Sequence, residues 1–248
     1  MDNAAVLALF DRQIRIGHEG ERVGDVVRQV ADDWCAVLWS ELSETTADAA
    51  IAEQVRYFTG LGREFEWKHY SYDLPADLGE RLLKAGFAAE QPEALMVAEV
   101  EGLPTEPVLP EGVRIERVTD AAGVALMAEA SSAAFGRPAR HTLHLLERME
   151  QAPGSVIPLV VMAGERPVCA ARLEPITGTD FAGLWGGGTA PEWRGRGIYK
   201  ATVAWRARLA AELGYRYLQV DATDDSRPIL TRLGFQRLGT TTPYNYTP

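Results

Sequence analysis

The stretch Leu184-Trp-Gly-Gly-Gly-Thr-Ala-Pro-Glu-Trp-Arg-Gly-Arg-Gly-Ile-Tyr-Lys200 decides how this chain is read. It opens on the end of a strand-like run and closes on the start of the most periodic helix pattern in the sequence. Ile198, Thr202, Trp205, Leu209 and Leu213 recur three or four residues apart, and Gly214 follows them. That is an amphipathic helix with a glycine stop. The first N–H groups of a helix have no partner within it, and together with the helix dipole they favour an anion. Gly195 and Gly197 let the backbone approach a bulky group, and Arg194 and Arg196 add positive charge. Together these features describe a cradle for a pyrophosphate, although a bare strand-to-helix turn would use the same glycines. A nucleotide-hydrolysing loop needs Gly-Lys-Ser/Thr, which is absent. A dinucleotide fingerprint needs a third glycine where Lys200 stands.

Outward from this loop, the pattern alternates. Residues 113–118 read as a strand, with Thr119 or Asp120 to cap a helix over 121–134. A second helix is expected over 140–150, then strands over 156–163, 167–174 and 180–189. After the long helix come a strand over 215–222, a short helix over 226–233 and a last strand over 235–246. The first hundred residues repeat the later part of this order more weakly. Strands are expected over 34–40, 65–70 and 94–100, and helices over 47–59 and 75–85. Leu61-Gly62 followed by Ala85-Gly86-Phe87 matches Leu213-Gly214 followed by Leu233-Gly234-Phe235, so an internal duplication is expected. Pro104, Pro107 and Pro110 recur every third residue and predict a stiff connector.

Arg194-Gly195-Arg196-Gly197-Ile198 resembles the acetyl-CoA loop of the GNAT superfamily of N-acetyltransferases, and Leu233-Gly234-Phe235 resembles that family's ending of the next short helix. The resemblance covers residues 113 to about 246. It implies an α/β (α+β) fold, a mixed and mainly antiparallel sheet flanked by helices, with a second, smaller GNAT-like domain before it. Residues 1–100 would form a degenerate GNAT-like domain without a CoA loop, 101–112 a linker, and 113–248 the acetyltransferase domain. It also implies acetyl-CoA as co-substrate, with Gly187, Gly188 and Thr189 beside pantetheine. The amides of Arg194, Gly195, Arg196, Gly197, Ile198, Tyr199 and Lys200 would hold the pyrophosphate. Two positions depart from the family: Tyr199 stands where Gly or Ala is usual, and Leu230 where a Tyr often serves as acid.

The chemistry implied is acetyl transfer to a primary amine, on a small molecule or a peptide. The alternative is an acyl-CoA-binding sensor or assembly module without turnover. Glu174, Asp180 and Asp221 are the candidate bases, and Tyr244 or Tyr246 the substitute acids. The 248 residues carry a net charge of −10, which disfavours nucleic acid and anionic membranes as partners. A homodimer is compatible with the sequence. Cys35 and Cys169 read as two buried thiols, and His141 and His144 as surface histidines, so no metal is expected. With no secretory leader pattern and no long apolar run, the expected compartment is cytoplasmic.

Overall fold

The computed structural model describes residues 1–17, 20–31, 34–139, 142 and 144–248. In chain order the elements are α1 (Asn3–Phe10), β1 (Glu21–Val23), β2 (Val26–Val30), β3 (Cys35–Ser40), α2 (Ala47–Leu61), β4 (Phe65–Tyr70), α3 (Leu78–Lys84), β5 (Ala88–Ala89) and β6 (Glu93–Glu99). They continue with β7 (Val113–Arg117), α4 (Ala121–Phe135), α5 (Leu145–Gln151), β8 (Ile157–Ala163), β9 (Arg166–Pro175), β10 (Phe181–Thr189), α6 (Ile198–Glu212), β11 (Tyr217–Ala222), α7 (Arg227–Leu233) and β12 (Gln236–Tyr246).

The chain divides into two compact units, and the division is not linear. The first comprises Met1–Met96, Asp221–Arg227 and Arg237–Pro248; the second comprises Val97–Val220 and Pro228–Gln236. This departs from the expected 1–100, 101–112 and 113–248. The physical reason is the last strand, whose residues 241–246 pair antiparallel with 65–70 of β4, Tyr244 opposite Trp67 and Tyr246 opposite Phe65. The proline-rich segment, expected as a stiff connector, belongs to the second unit. Leu103 is buried and Leu109 packs against the Leu159–Val161–Val168 cluster, so the segment lies on the second unit.

In the first unit the strand order is β1-β2-β3-β4-β12-β6, with β5 beside β12. Ile51 and Phe58 of α2 and Leu78 and Leu82 of α3 form its core with Phe65, Trp67 and Phe87. The sequence reading assigned nothing before residue 34. The structure places there α1, capped by the Asp2 carboxylate on the amides of Ala4 and Ala5, a π-helical turn over Asp11–Ile16, and the β1–β2 hairpin. The predicted helix over 75–85 is shorter, Leu78–Lys84.

In the second unit the order is β11-β10-β9-β8-β7. All neighbours are antiparallel except β10 and β11. The run Ile-Pro-Leu-Val-Val-Met-Ala of β8 is apolar throughout because both faces are covered. Val160 and Met162 pack with Met127 and Ala130 of α4. Leu159 and Val161 pack with Ile198 and Trp205 of α6 on the other face. Asp120 caps α4 through the amide of Gly123. The helix expected over 140–150 is Leu145–Gln151; Arg140 and His141 lie outside the described residues, and His144 is exposed. Cys35 and Cys169 are both buried free thiols. No described helix is long and apolar enough to cross a membrane.

Candidate functional site

Strand β10 runs parallel to β11 for three residue pairs only, Phe181 to Gly183 opposite Tyr217 to Gln219. A helical crossover, α6, joins the two, as parallel neighbours require. Beyond Gly183 the two strands part, while β10 continues to Thr189. The register of β10 against β9 shifts between Trp185 and Gly188, and Gly186 has φ +61°, so a bulge bends the strand where the separation opens. One edge of β10 is thereby left for a chain other than β11.

The glycines at the bulge are needed because both faces are crowded. A Cβ at Gly188 would lie 2.8 Å from the Phe135 ring and 2.9 Å from the Ala134 Cβ of α4. A Cβ at Gly187 would lie 2.9 Å from the Tyr199 ring and 3.6 Å from Nη2 of Arg206 on α6. Thr189 is buried and donates from Oγ1 to the Cys169 sulfur at 3.3 Å. Burial pushes the Cys169 thiol up to about 11.

From Thr189 the chain passes through a 3₁₀ turn, Pro191–Trp193, into the glycines. Gly195 has φ +74° and Gly197, the N-cap of α6, has φ +82°. Both are left-handed conformations that a side chain would strain. No side chain caps α6 and no acidic residue occupies its first turn. The first intrahelical bond runs from the Ala201 amide to the Gly197 carbonyl, so the helix presents its initial amides outward. Both arginines are held by neighbouring groups. Arg194 donates from Nε to the Thr189 carbonyl at 3.1 Å and from Nη2 to the Ala134 carbonyl at 3.0 Å, bracing the loop to the ends of β10 and α4. Arg196 stacks on the Trp193 ring at 4.6 Å and donates to the Glu192 carbonyl. Ile198 is buried in the core, so only its backbone can face a ligand; Lys200 is exposed.

The first unit repeats this geometry in a closed form. Its β3 and β4 are parallel and pair only at Ala36–Glu66 and Val37–Trp67, and α2 joins them. Arg15, from the π-helical turn, donates from Nε to the Leu38 carbonyl at 3.1 Å on the strand that runs on. Its Nη2 is held by both oxygens of buried Asp73, at 2.8 and 2.9 Å, and the Tyr70 ring lies 4.0 Å from its centre. The chain's own side chain therefore occupies that edge, and Asp48 in the first turn of α2 opposes an anion there.

The candidate catalytic residues fall in both units, Glu174 and Asp180 in the second and Asp221, Tyr244 and Tyr246 in the first. Glu174 lies on β9 opposite Gly183 in the second unit, bonded to Arg172 at 2.5 Å and to Arg148 at 3.3 and 3.4 Å. Burial pushes its carboxyl up, but the two arginines outweigh burial and hold it below the ordinary carboxylate range. That makes Glu174 a poor base near neutral pH. Asp180 sits at the turn before β10, and its carbonyl accepts from the amides of Arg216 and Tyr217. Asp221 belongs to the first unit, where its Oδ2 accepts from Lys68 Nζ at 2.5 Å. Burial alone would lower the Lys68 ammonium, and the Asp221 carboxylate reverses this and holds it high. The other Asp221 oxygen is buried with no hydrogen-bond partner among the described residues.

Tyr244 packs in the first unit's core, edge-on to His69 and over Gly79, whose Cβ would lie 2.4 Å from its hydroxyl. Tyr246 packs against Phe65 and Phe87. Both rings therefore pack within the first unit. Sequence reading also passed over Lys68 and Glu93. Burial, then the nearby Asp221 charge, pushes Glu93 up to about 7. Only pairing across strands could have revealed this group. Among the described residues no group of three metal-ligating side chains occurs.

Three solved structures show what the arrangement is similar to. A GCN5-related N-acetyltransferase from Kribbella flavida is 18% identical over 99% of this chain and 94% of its own, with a TM-score of 0.70. A functionally unknown conserved protein from Staphylococcus epidermidis is 15% identical over 96% of this chain and 97% of its own, also with a TM-score of 0.70. A tandem GNAT protein from the clavulanic acid biosynthesis pathway is 12% identical over 91% of this chain and 80% of its own, with a TM-score of 0.63. No protein-family model and no curated protein matches the chain. At these identities the likeness establishes the fold: this chain has the architecture of the GNAT acetyltransferases.

Proposed function

We propose that the chain transfers an acetyl group from acetyl-CoA to a primary amine, and that it binds one CoA per chain, on the second unit. The observation that carries this reading is the parting of β10 and β11 after Gly183 beside the uncapped start of α6. The free edge of β10 offers backbone donors and acceptors to the amides of a pantetheine arm. Gly187, Gly188 and Thr189 lie on that stretch. The amides from Arg194 to Lys200 suit the diphosphate, since a helix start of this kind stabilises negative charge.

Transfer needs a neutral amine, a polarised thioester oxygen and a sulfur able to leave. A backbone N–H on the bulged stretch of β10 would supply the polarisation as a fixed dipole. Glu174 is held ionised by its arginines, so on this reading the proton leaves the amine to solvent or to a group still unassigned. Leu230, where the family often has a Tyr, is fully buried in the core and offers no proton. That one observation favours the second reading, a CoA-binding module without turnover.

Release of free CoA from acetyl-CoA across a panel of primary amines separates the two. Amine-dependent release supports transfer. Tight acetyl-CoA binding with no release for any amine supports the binding module, and no binding at all removes both.

A further inference from the structure

Arg206 is an enclosed charge with no part in the acetyl-transfer steps above. It is 1% exposed and lies two turns along α6 from Tyr199. Its Nε donates to the Thr202 carbonyl at 3.0 Å, Nη1 to the Arg172 carbonyl at 3.2 Å, and Nη2 to Thr202 Oγ1 at 3.4 Å. None of these acceptors is charged, and among the described residues no carboxylate forms an ion pair with it. Burial pulls the guanidinium down; the ionisable group acting on it next most strongly is the Tyr199 phenol, followed by Cys169 and Arg172. A buried cation without a counter-ion is costly to keep. The cost makes physical sense where negative charge arises beside it during the protein's work.

Gly187 locates where that would happen. Its missing Cβ is the point that both the Tyr199 ring, at 2.9 Å, and Arg206 Nη2, at 3.6 Å, approach. Gly187 lies in the bulged part of β10, on the stretch that β11 has left. The phenol and the guanidinium thus lie against the strand along which the thioester arm would run. Tyr199 is also the second residue of α6, where the helix start favours developing negative charge.

We propose that Tyr199 gives the proton to the departing sulfur, and that Arg206 is the positioning residue that stabilises the phenolate left behind. This rests on the acetyl-transfer reading above. The amine nitrogen bonds to the thioester carbon, and the C–S bond then breaks with its electron pair on sulfur. The Tyr199 hydroxyl proton passes to that sulfur and frees the CoA thiol. The phenolate beside Arg206 recovers a proton from water, which takes up the one shed by the amine. Besides the phenol, the ionisable groups acting on Arg206 are Cys169 and Arg172 from β9. Cys169 stays neutral to about 11, and Arg172 is paired with Glu174.

The test uses the full chain with Tyr199→Phe, Arg206→Met, the double variant, and Arg206→Lys. Arg206→Met replaces an enclosed charge by an apolar group of similar length, which cores commonly accept. Tyr199→Phe is expected to lower kcat at least about tenfold with acetyl-CoA affinity within about twofold, since the contact is made in the transition state. Arg206→Met should lose a similar factor, the double variant no more than either single one, and Arg206→Lys should recover part. Ultraviolet difference titration, wild type against Tyr199→Phe, reads the phenol without turnover. Removing the Arg206 charge should move that titration to higher pH. A kcat for Tyr199→Phe within twofold of wild type, additive losses, or a titration unmoved by Arg206→Met would each overturn the pair. If the wild type acts on no amine, the transfer reading falls, and the titration alone decides whether the two groups are coupled.

Discussion

Gly197 is the position where strain and charge can be separated. It caps α6 with φ +82°, and a Cβ there would meet nothing within 4 Å. Gly197→Ala therefore adds only backbone strain, about 1 kcal/mol for a left-handed alanine. For a chain of this length that lowers Tm by about 2–4 °C. Gly197→Gln adds bulk where the diphosphate is expected, and Gly197→Glu adds nearly the same bulk with a negative charge. One pair of like charges about 4 Å apart costs roughly 1 kcal/mol in water-like surroundings and about 4 kcal/mol at a protein surface. Acetyl-CoA should thus bind Gly197→Glu at least about fivefold more weakly than Gly197→Gln, and both far more weakly than wild type. The Glu–Gln difference should shrink as salt is raised. Isothermal calorimetry of the three variants, with Tm measured alongside, reads all of these quantities. Gly197→Glu with wild-type affinity and an intact fold would refute the placement of the diphosphate. So would a Glu–Gln difference indifferent to salt.

Three further outcomes follow from buried groups. Glu93, pushed up to about 7 in the folded chain, keeps a proton that the unfolded chain has already lost. Its contribution to stability is therefore present at low pH and is lost as pH rises from about 4.5 to 7. Glu93→Gln should raise Tm over wild type at pH 8 and give no gain at pH 4.5; a constant difference would contradict this. Asp73→Asn removes the carboxylate that holds buried Arg15 and should cost about 3–5 kcal/mol in urea unfolding, whereas a loss under 1 kcal/mol would show that the Tyr70 stack alone suffices. Leu230 is fully buried, so Leu230→Tyr overpacks the core, costing about 1–3 kcal/mol, and should not raise kcat; a faster enzyme would show that its hydroxyl can reach the sulfur.

What the sequence made legible was local. The strand, glycine turn and helix around residues 184–200 could be read because glycine, arginine and amphipathic spacing act over a few residues. The parallel pairing of β10 with β11 followed from the helical crossover between them. What could not be read depends on partners distant along the chain. Tyr244 looked like a substitute acid because Leu230 lacks a hydroxyl, yet its strand pairs with β4 and packs the ring over Gly79. Asp221 looked like a free carboxylate at a strand end, yet Lys68, 153 residues earlier, holds it. Arg206 falls outside the apolar spacing of its helix; its burial against β9 appears only when the helix is packed. Arg15 precedes every element the sequence reading assigned, and its bond to the Leu38 carbonyl is what closes the first unit's edge.

The most direct test is the structure of the chain bound to acetyl-CoA. One molecule per chain is expected, its pantetheine arm bonded to the main chain of β10 between Leu184 and Thr189. Its diphosphate should lie on the amides from Arg194 to Lys200, with the edge of β3 still held by Arg15. Acetyl-CoA bound along β3, or anywhere away from β10 and the start of α6, would contradict it.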